Sequence, residues 1–153
     1  MTSCRPATRF LAATLLALAA GLAGAAGPAP AAAPATAADT REHAIFAVSD
    51  DDTKKWNLTL GNIGNAIEGL GAESADIELV VYGPGIAMLK KDSPVADRIA
   101  EAQKRGVHVY ACQNSMRGYH LEQADLAPGV GIVPSGVVEL IRRQHAGYAY
   151  LRS

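Results

Sequence analysis

A chain of 153 residues is long enough for one domain with a proper core. Its formal charge is −1 and no basic cluster stands out, which excludes the electrostatic footprint of a nucleic-acid binder. Apolar residues make up 49%, but the first 40 positions inflate that figure.

Those positions come first in the chain. Met1 to Arg9 carries Arg5 and Arg9 and no acid, and Phe10 to Ala26 is almost pure Ala, Leu and Gly. Small residues at Ala23, Ala25 and Ala26 suit a signal peptidase, so residues 1–26 are expected to be a secretory signal peptide. The apolar run is also about as long as a minimal membrane span. Its Ala/Gly-rich end and the Pro/Ala tract that follows favour cleavage. No paired arginines precede the run, and Cys4 lies before it, misplaced for a lipoprotein cysteine. Residues 27–40, with "GPAPAAAPATAA" at their heart, read as a linker that buries no core. The folded domain is expected at 41–153, periplasmic or secreted, with no membrane association after cleavage. Cleavage removes Arg5, Arg9 and Cys4 and no acid, which moves the charge from −1 to −3. It leaves Cys112 as the single thiol: buried, paired with another molecule, or reactive.

"HAIFAVS" (43–49) predicts a strand. After "DDD" (50–52), Trp56, Leu60, Ile63, Ile67 and Leu70 recur at helical spacing, with an aspartate as N-cap and Gly71 as stop. Gly61 and Gly64 inside this helix each cost about 1 kcal/mol against Ala, and suggest close packing on a neighbouring backbone. "DIELVVYG" (76–83) predicts a second strand ending in "GPG". Ser93 and Pro94 read as N-cap and first residue of a second helix, with Val95, Ile99 and Ala102 buried and Gly106 as stop. "VHVYAC" (107–112) is a third strand, followed by short helical turns through Gln123. "GVGIV" (129–133) is a fourth strand. Pro134 to His145 is a helix with Val137, Val138, Leu140 and Ile141 facing in, and "YAYLR" (148–152) is a last strand. This alternation predicts an α/β fold, a flavodoxin-like three-layer sandwich around a mostly parallel five-stranded sheet.

Ligands in such sheets bind beyond the carboxyl ends of the strands. Cys112 falls on that edge, where a helix is expected to start and lower its pKa. Asn114 and Ser115 are placed to donate to a thiolate or a bound anion, and Arg117 adds charge if it folds back. Tyr82, Gly83, Gly85 and Ser135 lie at the other strand ends and complete the candidate pocket. The plain alternative for Cys112 is core packing, since free cysteine often behaves as a small hydrophobe. A lone cysteine also argues against a CxxC dithiol oxidoreductase. "GPG" lacks the remaining residues of a phosphate loop or a dinucleotide fingerprint, and reads better as a tight turn. "DDD" lacks the calcium-loop pattern and reads better as helix capping. His43, His108, His120 and His145 form no HxH or HxxxH, so no metal is expected, and no cofactor signature appears. His120 is the histidine nearest Cys112 beyond its strand; a surface loop residue is its commoner role. Arg142 and Arg143 complement the dipole of the last helix, with a subunit contact as the second reading.

Four segments together carry a resemblance: "KKWNLTLGNIGNAI", "IELVVYGPGIAML", "GVHVYACQNSMR" and "VPSGVVELIRRQHAGYAYLR". In order and spacing they resemble the DsrE/DsrF-like family, closest to its small uncharacterised branch, over about residues 44–152. The resemblance implies an α/β sandwich assembling as a homo-oligomer, often a trimer or hexamer. In the family's sulfur-oxidation members a cysteine carries sulfur as a persulfide between partners. The branch resembled here usually keeps a cysteine followed two residues later by Asn, as in Cys112-Gln113-Asn114, and Ser115 keeps the hydroxyl of the Thr often found next. Two functions are therefore expected. In the first, Cys112 is the catalytic thiol of a sulfur carrier that works with donor or acceptor proteins. In the second, the domain is a non-catalytic oligomeric module for a small ligand or a protein segment.

Overall fold

A computed structural model of the protein describes residues 40–153. The expected signal peptide, Cys4 and all but the end of the linker lie outside the described residues.

β1 (Glu42–Val48) and β2 (Ala75–Val81) are runs of β-branched and apolar residues, buried on both faces over most of their length, as central parallel strands require. With β3 (His108–Cys112), β4 (Gly131–Val133) and β5 (Ala149–Arg152) they form one sheet in the order β4-β3-β2-β1-β5. Every pairing is parallel. The connections from β1 to β4 all step the same way. Right-handed crossovers then place α1 (Thr53–Leu70), α2 (Ala96–Lys104) and α3 (Gln113–Gly118) on one face. The step from β4 to β5 runs back across the sheet and places α4 (Gly136–His145) on the other.

The first face holds the main core. Phe46, Val48, Leu79, Val81, Val109 and Ala111 meet Trp56, Leu60, Ile63, Ile67, Ile99 and Met116 there. The second face has a small apolar patch, Ile45, Ala47, Val80 and Leu140, bordered by Tyr82, Tyr110 and Tyr148.

α1 starts where Asp52 Oδ1 accepts from the Lys54 amide at 2.8 Å, and it stops at Gly71, φ +88°. Leu70, expected on the buried face, is exposed. The two internal glycines do not meet a neighbouring backbone. A Cβ on Gly61 would touch nothing within 4 Å, and one on Gly64 would meet only Arg105 Nη1 at 3.6 Å. They line a groove of about 280 Å³ between α1 and α2 instead. Asp50 pairs with Arg152 at 3.2 Å and with Lys55 at 3.3 Å, so two of the three aspartates hold the start of α1. α2 begins two residues after Pro94, because Ser93 to Val95 form a turn closed by Ala96 N–H on Ser93 O at 3.0 Å. β4 is shorter than expected: Gly129, at φ +79°, lies outside the extended region.

α4 differs most from expectation. Leu140 faces the sheet, but Val137, Val138 and Ile141 are 52%, 42% and 48% exposed. Gly136 sets this rotation. Its Cβ position lies 3.0 Å from Tyr82 Cβ and 3.3 Å from Cys112 Cβ, so the bare glycine faces the sheet and the valines turn outward.

Candidate functional site

β3 carries Cys112 to the carboxyl edge of the sheet, where it is the N-cap residue of α3. In register, Tyr110, Cys112, Val80 and Gly136 share the second face, so the sulfur lies beneath the start of α4. Cys112 is 4% exposed and makes no disulfide.

Burial pushes the Cys112 thiol up. The Ser115 hydroxyl, and then the amides of Gly136, Ser115 and Asn114, outweigh it and hold the thiol below its ordinary value. None of them closes a full side-chain cap on α3; they act as a set of dipoles turned toward the sulfur. The hydroxyl is itself oriented. Gly83 N–H donates to Ser115 Oγ at 2.7 Å, which occupies the oxygen as acceptor and leaves its proton for the sulfur.

Of the remaining expected residues, Gly83 meets this pair through Ser115, and Tyr82 reaches it through Gly136. Gly83 has φ +57°, and Gly85 N–H donates to Ser49 O at 3.0 Å. A Cβ on Gly85 would lie 3.0 Å from the Ser49 carbonyl carbon, so the "GPG" turn packs directly on the end of β1. Both amides are engaged within the protein. Tyr82 is half-buried against the second-face patch. Asn114 and Arg117 are exposed, and Arg117 Nη2 donates to Asn114 Oδ1. Ser135 is the N-cap residue of α4, with an extended backbone and no side-chain capping bond. His120 lies in the exposed turn after α3, at φ +55°. Among the described residues no cluster of ligating side chains fits a metal, and no helix is long and apolar enough to cross a membrane. The groove between α1 and α2 lies on the first face, away from the thiol.

Gly136 is the site residue that sequence reasoning missed. A glycine directly after Pro134-Ser135, at the start of a helix, was its only signal.

Fold and site together define a small parallel α/β sandwich with a donor-surrounded thiol at its strand-end edge. The chain belongs to the DsrE/DsrF-like family, whose pattern matches residues 42–152. It is similar in structure to a protein of unknown function, MTH1491, from Methanobacterium thermoautotrophicum. The TM-score is 0.70 at 35% identity, over 73% of this chain and 99% of that one. Two more distant structures share the fold. One is BT1422, a conserved protein of unknown function from Bacteroides thetaiotaomicron, with a TM-score of 0.63 at 15% identity, over 77% of this chain and 100% of that one. The other is the ychN protein from E. coli, with a TM-score of 0.59 at 17% identity, over 74% of this chain and 99% of that one. None of the curated proteins compared with the chain matches it.

Proposed function

We propose that the protein is an exported sulfur carrier of the DsrE/DsrF-like family, with Cys112 as the carrier thiol. One observation carries this reading: the only cysteine of the described residues lies at the strand-end edge beneath Gly136, with its thiol held below its ordinary value by the Ser115 hydroxyl and neighbouring amides. The Cys112 thiolate attacks the outer sulfur of a donor such as thiosulfate. The donor S–S bond breaks, sulfite leaves with the electron pair, and a Cys112 persulfide forms. An acceptor thiolate then attacks the outer sulfur and releases the Cys112 thiolate. No external oxidant or reductant enters either step. Gly83 orients Ser115, and Ser115 with the three amides stabilises the thiolate as nucleophile and as leaving group.

The exposed stripe Val137, Val138 and Ile141 supports a homo-oligomer, a trimer or hexamer, with α4 at the contact. The same stripe favours a second reading, a non-catalytic oligomeric binding module. Intact mass after incubation with thiosulfate or polysulfide separates the two. The carrier gains one sulfur atom on the wild type and none on Cys112→Ala. No gain on the wild type, or an equal gain on the variant, overturns the carrier.

A further inference from the structure

Glu78 is the least expected residue of the sheet. It lies mid-strand in β2, 2% exposed, on the second face beneath the far end of α4. Arg143 Nη2 reaches its Oε1 at 2.8 Å, and its Oε2 is buried without a hydrogen-bond partner. Burial pushes the Glu78 carboxyl up; Arg143 pulls it down, Asp76 and Glu139 push it up, and His108 pulls it down. Tyr110 and Tyr148 complete the surroundings. The guanidinium is flanked by Glu139 Oε1, 2.9 Å from Nε but outside hydrogen-bond geometry, and by the Tyr148 ring at 5.3 Å. Glu78 is buried while 32% of the Arg143 side chain is exposed; such an ion pair adds little net stability over apolar residues of the same shape, so its value lies in specifying geometry.

The geometry it specifies is the seat of α4. Only Gly136 and Leu140 of this helix are buried, so apolar contact alone grips it weakly. α4 crosses from the end of β4 back to the start of β5, and so runs antiparallel to the strands. Gly136 to Arg143 spans about 10 Å of helix, and Tyr82 to Glu78 spans about 13 Å of strand. Pinning Arg143 at one end therefore fixes Gly136 over Cys112 at the other. We infer that the Glu78–Arg143 pair is a positioning device that seats α4 so that Gly136 stays over Cys112. This inference deepens the carrier reading and rests on it for its purpose, while its geometry is tested separately.

The test follows the rate of Cys112 alkylation by iodoacetamide against pH in the full chain, read on the Cys112 peptide by mass so that Cys4 is not counted. Arg143→Met breaks the pair. The double variant Glu78→Leu with Arg143→Met removes both charges together and so avoids stranding a buried carboxylate. Leu60→Ala, in the core of the other face, serves as a destabilised control. In either α4 variant the midpoint of the profile moves up and the rate at neutral pH falls about fivefold to tenfold, while the control keeps the wild-type midpoint. A folded double variant with the wild-type midpoint overturns the inference, as does the same displacement in Leu60→Ala. Persulfide loading is scored beside it. A wild type that takes no sulfur while the midpoint moves in the double variant sinks the carrier and keeps the positioning device. Loading with an unmoved midpoint does the reverse.

Discussion

The two faces of the sheet are built on different principles. Under α1, α2 and α3 the contacts are apolar and continuous, from Ile67 to Met116. Under α4 four buried apolar residues share the space with three tyrosines, and Glu78, Asp76, His43 and Arg143 lie in the same layer. The first face resists water through area; the second relies on directed pairs. Directed pairs are worth less per group, but they fix distances, and the thiol sits on the face where distances are fixed.

Truncation measures this contrast most strongly. Phe46→Ala on the first face is expected to cost about 3–5 kcal/mol, and Leu140→Ala on the second about 2–3 kcal/mol, read by urea denaturation. Equal losses would erase the distinction. Gly136→Ala comes next, at about 1–3 kcal/mol, because the new methyl meets Tyr82 and Cys112. It is also expected to raise the thiol pKa by displacing the amide, which the alkylation profile detects.

Tyr148→Phe sharpens the account of the polar layer. Burial pushes Asp76 up, but the Tyr148 hydroxyl at 2.6 Å and His43 at 3.1 Å outweigh it, with Arg41 adding a smaller pull, and hold the carboxyl below its ordinary value. A depressed carboxyl adds stability above its unfolded pKa and loses it as pH falls through the folded one. Removing the hydroxyl is expected to cost about 1–2 kcal/mol at pH 7 and progressively less on acidification, as Asp76 takes up its proton. A cost that stays constant from pH 7 to pH 3 breaks this assignment. Glu78 has the opposite sign. Its raised carboxyl favours the folded state below the unfolded pKa, and that advantage is lost as pH rises through the folded value. Val137→Ser is the smallest effect, within about 0.5 kcal/mol in the monomer. Loss of association in sedimentation is its expected signature; unchanged assembly removes the stripe from the contact.

How legible each part was follows from the range of its contacts. α1 announces itself because Trp56, Leu60, Ile63 and Ile67 repeat at the helical period between Asp52 and Gly71. The position of Cys112 follows from strand alternation in "VHVYAC" and the polar residues after it. The orientation of α4 was misread because periodicity identifies apolar residues without saying which surface covers them. Gly136 over Cys112, Gly83 on Ser115 and Glu78 with Arg143 join residues distant in the chain, and no local pattern marks them. The two glycines of α1 were misread for a related reason: a missing side chain signals room, and only the fold shows that the room is a groove.

The donors near Cys112 have a consequence for the direction of sulfur flow in the proposed carrier. The Ser115 hydroxyl and the amides of Gly136, Ser115 and Asn114 favour the charged cysteine sulfur itself. Once an outer sulfur is attached, the negative charge sits about 2 Å farther out, beyond their best reach. If Cys112 carries sulfur as proposed, the site solvates the empty thiolate better than the persulfide, and attack by an acceptor thiolate on the outer sulfur would release Cys112 as a stabilised leaving group.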